Sequence, residues 1–195
     1  MKITPILTQL REQCPALASR VVAGFDLATL QAGAPMQTPC AYVLPMADVA
    51  SRNAAQNVTL QTVRDRFDTV LVLDASDATT ALDLLHDLRA ELWRGLVGFR
   101  PGDDYTGIEY DGSELIFSSD SNRVLYRLRF FAEFQLGRNL ASQPAESWHE
   151  RELDGLSSFT GVTVRVDAID PADPNLKRPG PDGRLEMTFS GDVTP

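Results

Sequence analysis

Apolar positions along the chain change period several times, and each change marks an element. Ile3, Ile6, Leu7, Leu10 and Cys14 recur at helical spacing, predicting a short amphipathic helix over 3–14 that stops at Pro15 and lies as a lid on a sheet. Ala41-Tyr42-Val43-Leu44 before Pro45 reads as a short strand bounded by prolines, and 46–57 as a polar excursion or hairpin arm. From 58 to 74 the period becomes two. Val63, Phe67, Leu71 and Leu73 fall on one face and Arg64, Arg66 and Asp68 on the other, the pattern of a long strand with one buried side. Ala78, Ala81, Leu82, Leu85, Leu88, Leu92 and Leu96 then form one helical stripe, with Ser76 or Asp77 placed to cap the first turn and Gly95 or Gly98 to end it.

Asp111-Gly112 between two apolar runs has the composition of a tight hairpin turn. From Val124 to Leu136 strict alternation returns, with Tyr126, Leu128, Phe130, Ala132 and Phe134 opposite Arg127, Arg129, Glu133 and Gln135. Residues 137–158 read as a long connection. Val162, Val164, Val166 and Ala168, then Leu185, Met187 and Phe189, frame a turn-rich run as a C-terminal hairpin. The expected fold class is therefore α/β (α+β): a mixed, mainly antiparallel sheet of long strands flanked by two helices, with a C-terminal β-hairpin extension. The expected division is 1–136 as the core and 137–195 as a loop-rich extension of the same domain.

Few residues in this frame offer chemistry. Nucleophilic hydrolysis needs a Ser or Cys, a histidine base and a third group to orient it. The two histidines, His86 and His149, fall on the second helix and in a polar loop, and no serine stands in a GxSxG setting. Neither a GxGxxG nor a GKS/GKT loop is present. Asp103-Asp104 follows Pro101-Gly102 and reads as a turn. Asp170, Asp173, Asn175 and Asp182 miss the register of a calcium loop and read first as turn formers beside prolines. No catalytic, cofactor-binding or metal site is expected, and hence no cofactor. The feature above background is the pair of long strands whose polar faces carry Arg64, Arg66 and Asp68 on one and Arg127, Arg129 and Glu133 on the other. If the strands are neighbours, these six form one charged surface, either a solvated face or a subunit interface.

Charge narrows the classes further. The 195 residues include 18 basic and 27 acidic side chains, a formal charge of −9 that argues against gripping nucleic-acid phosphates over a broad face. Lys2 and Lys177 are the two lysines; the remaining positive charge is on arginine, from codon bias or from a need for bidentate pairing. Cys14 and Cys40, 26 positions apart, read as buried reduced thiols. The first residues do not read as a signal peptide, and no apolar run is long enough to span a membrane, so the expected site of synthesis is a cytoplasm.

The order of elements carries a resemblance: an N-terminal helix, the strand Pro39-Cys40-Ala41-Tyr42-Val43-Leu44-Pro45, an excursion with Asn53 and Gln56, the strand Val63 to Leu73, the helix Ala78 to Leu92, the turn Phe99-Arg100-Pro101 and the aromatic strand Tyr126 to Phe134. Together these resemble the tail terminator proteins of long-tailed bacteriophages, also called tail completion or head-tail joining proteins, of the minor tail protein U group. Asp170-Pro171-Ala172-Asp173-Pro174-Asn175 and Pro179-Gly180-Pro181-Asp182-Gly183-Arg184 look like the end of the transposable-phage versions. The resemblance implies a non-enzymatic virion protein that forms a ring, a homohexamer in the family, on the last tail-tube ring. Such a ring stops tube polymerisation and joins the neck or head-completion protein, while DNA passes through its lumen without specific binding. It transfers no site residue to this chain. Two other readings stay open: a neck or head-tail connector subunit on the portal side, and a small α/β ligand-binding module.

Overall fold

The structure, a computed structural model, describes residues 1–28, 30, 37–56, 58–117, 122–138, 140, 142–157, 161–166 and 187–192. It parts into two compact units, Met1–Arg151 and Glu152–Pro195. The first takes in residues 137–151, which the sequence pattern places in the extension.

The first unit is built on a six-stranded sheet. Helix α1 (Thr4–Gln13) and a 3-10 turn (Pro15–Leu17) lead into β1 (Val21–Ala23) and β2 (Cys40–Pro45). β3 (Val49–Ala50), β4 (Gln61–Asp74), helix α2 (Ala78–Leu96), β5 (Glu109–Phe117) and β6 (Arg123–Leu136) follow. The spatial order is β1-β2-β4-β6-β5, with β3 on β4; β1 and β2 are parallel and every other pair is antiparallel. β4 and β6 pair along all 14 residues, from Gln61↔Leu136 to Asp74↔Arg123, and form the spine of the sheet. The second unit contains a two-stranded antiparallel sheet of β7 (Gly161–Val166) and β8 (Met187–Asp192), the expected C-terminal hairpin. Ala168, Leu185 and the aspartate and proline run between them lie outside the described residues.

Both flanking helices follow from local chemistry. Pro5 sits in the first turn of α1, where its missing N–H costs nothing. The Asp77 carboxylate accepts the Thr79 N–H and caps α2, while the hydroxyl of Thr80 and that N–H hold its pKa below the ordinary carboxylate range. After Val97, Gly98 at φ +86° turns the chain away. α1 contributes Ile6 and Leu10, and α2 Leu85, Leu88, Leu92 and Leu96, to one core with Phe67, Leu71, Leu73, Leu128 and Phe130 from the sheet. Phe67 and Phe130 stack at its centre, ring centroids 5.5 Å apart. Leu82 departs from the expected stripe and is 59% exposed, because it stands about 100° round the helix from the buried Ala81, beyond the edge of the face set by Leu85, Leu88 and Leu92.

Two further expectations are corrected. Asp111-Gly112 is not a hairpin turn: β5 continues to Phe117, and Asp111 is the extra residue of a β-bulge between the pairs Tyr110↔Phe130 and Gly112↔Arg129. Gly112, at φ +127°, supplies a backbone angle that a residue with a Cβ adopts only under strain. Of the two readings of 46–57, the hairpin arm is the one seen, since Val49 and Ala50 pair antiparallel with Arg64 and Val63 of β4. The stretch 137–158 is not all connection: it contains helix α3 (Trp148–Asp154), whose Glu150 is buried. That carboxylate accepts backbone N–H bonds from Arg138 at 2.7 Å, Glu146 at 2.8 Å and Ser147 at 3.2 Å, which hold its pKa down, the Arg138 bond most of all.

Candidate functional site

All six charged residues singled out from the sequence lie on one face of the sheet, opposite the face that α1 and α2 cover. Register places them: Arg64 is opposite Glu133, Asp68 opposite Arg129, and Arg127 opposite Val70. Opposed residues in a ladder point to the same side, so the two strands merge their polar positions into one patch.

Within the patch the arginines are bonded inside the chain. Arg64 donates from Nε and Nη2 to one Glu133 oxygen, at 2.9 and 2.8 Å, and its guanidinium carbon stands 4.0 Å from the centroid of the Phe131 ring. Arg127 bridges Asp68, at 3.7 Å, and Glu114. Arg129 reaches the other Glu114 oxygen at 2.6 Å, and Arg66 stands 3.5 Å from Asp111. Sequence reasoning missed Asp111 and Glu114. Reading Asp111-Gly112 as a turn split 107–117 into a short ribbon of its own, whereas a bulge keeps β5 one strand beside β6 and carries both carboxylates to the arginines. Four guanidinium groups thus meet Asp68, Asp111, Glu114 and Glu133, a formally balanced surface. Where such pairs are exposed, each contributes about 0–1 kcal/mol.

The face is not uniform. Its other half is a second apolar cluster of Cys40, Tyr42, Leu44, Val70, Val72 and Leu125, with Leu30 over it. Asp68 sits at the boundary and is 3% exposed. Only the Arg64 end of β4 is open, so the charged surface that the six residues form is solvated at one end and buried at Asp68. Burial raises the Asp68 pKa, against the opposing pull of Arg127, Arg129 and Arg66.

Between the open end and β3 runs a groove of about 450 Å³ lined by Val49, Ser51, Thr62, Arg64, Arg66 and Glu133, among others. Its guanidinium and carboxylate groups alternate, which suits a complementary protein surface better than a phosphate chain. The remaining candidates stand apart from it. His86 is exposed on α2 and His149 exposed on α3, while Asp103 and Asp104 lie exposed in a turn. Cys14 and Cys40 are free and buried; burial, with Glu91 adding to it, pushes the Cys14 thiol up to about 11. Among the described residues no group of three or more His, Cys, Asp or Glu is placed to hold a metal ion, and no helix is long and apolar enough to cross a membrane.

Comparison with known proteins gives a family and a distant structure. A sequence profile of the family described as phage tail terminator protein matches residues 1–142, nearly all of the first unit. Among solved structures, a chain of the virion of a native gene transfer agent (GTA) particle is similar at 16% identity and a TM-score of 0.44, over 67% of this chain and 91% of that one. No curated protein matches the sequence.

Proposed function

Because this chain belongs to the phage tail terminator family, a structural component of phage tails, we propose that it forms a ring that caps the tail tube, ends tail polymerisation and presents the joining surface for the head or neck. The match over residues 1–142 carries this reading, since it spans the whole six-stranded sheet and both of its covering helices. A ring needs two different patches on each subunit that fit one another and close. The paired face of Arg64, Arg66, Asp68, Arg127, Arg129 and Glu133 is one such patch, and its balanced charges would fix orientation against a neighbour or the tube rather than supply bulk affinity. A chain of net charge −9 also suits the wall of a channel through which DNA slides without sticking. The partners on this reading are copies of itself, as a hexamer, together with the tail-tube protein and a neck or head-completion protein. Its place is the virion, reached by assembly in the host cytoplasm, and its work requires no cofactor.

The test is tube assembly from purified tail-tube subunits. Added protein is expected to halt tube growth and to be found at one tube end. Undiminished growth with the protein present would overturn the reading, and binding to heads but not to tubes would make it a neck subunit.

A further inference from the structure

The two edges of the six-stranded sheet are built differently. β5 is hydrogen-bonded to β6 on one side and, among the described residues, to no strand on the other. Exposed edges are templates for another strand, and proteins commonly blunt them with lysine, proline, shortness or a bulge. β5 is nine residues long, EYDGSELIF, with neither lysine nor proline. Its bulge lies toward the start and leaves Gly112 to Phe117 in regular register with β6.

The opposite edge is protected at β1 but open at β3. β1 has three residues, and the Val21 carbonyl accepts both Nε and Nη2 of Arg11. Arg20 and Gly24 bond toward β2, so by alternation Val21 points its carbonyl outward, and Arg11 occupies the place of an incoming strand. β3 pairs with β4 on one side and, among the described residues, with no strand on the other. The arm that carries it, 46–60, exposes Met46, Val49 and Val58. It is also held in shape: Asn53 donates to the carbonyls of Ala55 and Val58 and accepts the Leu60 N–H. A preorganised arm loses little freedom on docking.

We infer that β5 of one subunit pairs with the β3 arm of a second copy, so that the sheet continues across the subunit boundary; this rests on the ring reading above. Asp111 and Glu114 of β5 are already paired within the chain by Arg66, Arg127 and Arg129, so their charge does not oppose a neighbour on this edge. Topology selects the arm over a second β5. β3 and β5 lie on opposite edges of one sheet, so their contact is head to tail and propagates round a ring, while β5 with β5 stops at a two-fold dimer.

Cysteine pairs test it. Ala50 and Leu115 sit on the helix-bearing side of the sheet by register, through Val63 and Tyr126, and Ser113 shares that side. The full chain is prepared as Ala50→Cys, as Ser113→Cys and as Leu115→Cys, and tails assembled with the mixtures are oxidised. Cross-linking between Ala50→Cys and one of the two β5 variants, with a ladder of multimers when both changes share a chain, is the expected result. Dimers from Leu115→Cys alone, or caps on tails with no cross-link in any mixture, would overturn the pairing while the tail-terminator reading stands. No self-association of the wild-type protein on tails would overturn both. In parallel, Leu115→Lys is expected to keep its Tm and lose at least tenfold in incorporation; normal incorporation contradicts the inference.

Discussion

The guanidinium of Arg11, from the last turn of α1, donates two hydrogen bonds to the backbone carbonyl of Val21 on β1, at 3.0 and 2.6 Å. One side chain thereby ties the first helix to the sheet and closes a sheet edge.

Arg11→Ala removes a charged donor from a carbonyl. It is expected to cost about 1–3 kcal/mol in denaturant unfolding and to increase non-specific association in light scattering, because the β1 edge becomes available. Unchanged stability together with unchanged scattering would contradict the edge-closing role.

Phe67 and Phe130, both essentially inaccessible, carry the packing between β4, β6 and the two helices. Phe67→Ala is expected to destabilise the protein by about 3–5 kcal/mol, measured by urea unfolding at unchanged m-value.

Gly137 follows β6 at φ +107°, and a Cβ there would stand 2.0 Å from the carbonyl oxygen of Thr59. Gly137→Ala is therefore expected to destabilise by more than about 1 kcal/mol and to push the arm off its seat. Limited proteolysis is the check: cleavage within 46–60 should accelerate before the rest of the first unit is cut.

Asp68 gives the pH dependence. Its folded-state pKa is raised by burial, so the folded state holds this proton more tightly than the unfolded chain does. The Asp68 contribution to stability is thus most favourable below the unfolded pKa of about 4 and is lost as pH rises through the folded value. Asp68→Asn is expected to equal or exceed wild-type stability at pH 7, with Arg127 still held by Glu114, and the difference should close as the pH falls below about 4. A thermal series from pH 3 to pH 8 measures it, and a variant less stable at pH 7 but not at pH 3 would contradict it.

Elements with a long, clean period were legible in the sequence. The α2 stripe and its Asp77 cap, the alternation of β4 and β6, and the six charged residues of their shared face all follow from local pattern. What escaped depends on neighbours distant in sequence. Asp-Gly has the same composition in a turn and in a bulge, and only the ladder to Arg129 makes it a bulge. Asp68 follows the polar alternation of Arg64 and Arg66, yet it sits beside the second apolar cluster and is buried. Val49-Ala50 is too short to declare a period and becomes a strand only because β4 extends beyond β2. Glu150, in a polar stretch, is distinguished only by the three backbone donors that converge on it.

The measurement that bears most directly on the central claim is the length distribution of tails, by electron microscopy, from a phage whose gene for this protein is interrupted. A terminator's loss should give tails of excess and variable length without heads, restored to normal by the protein supplied in trans. Tails of normal length joined to heads in its absence would contradict the account.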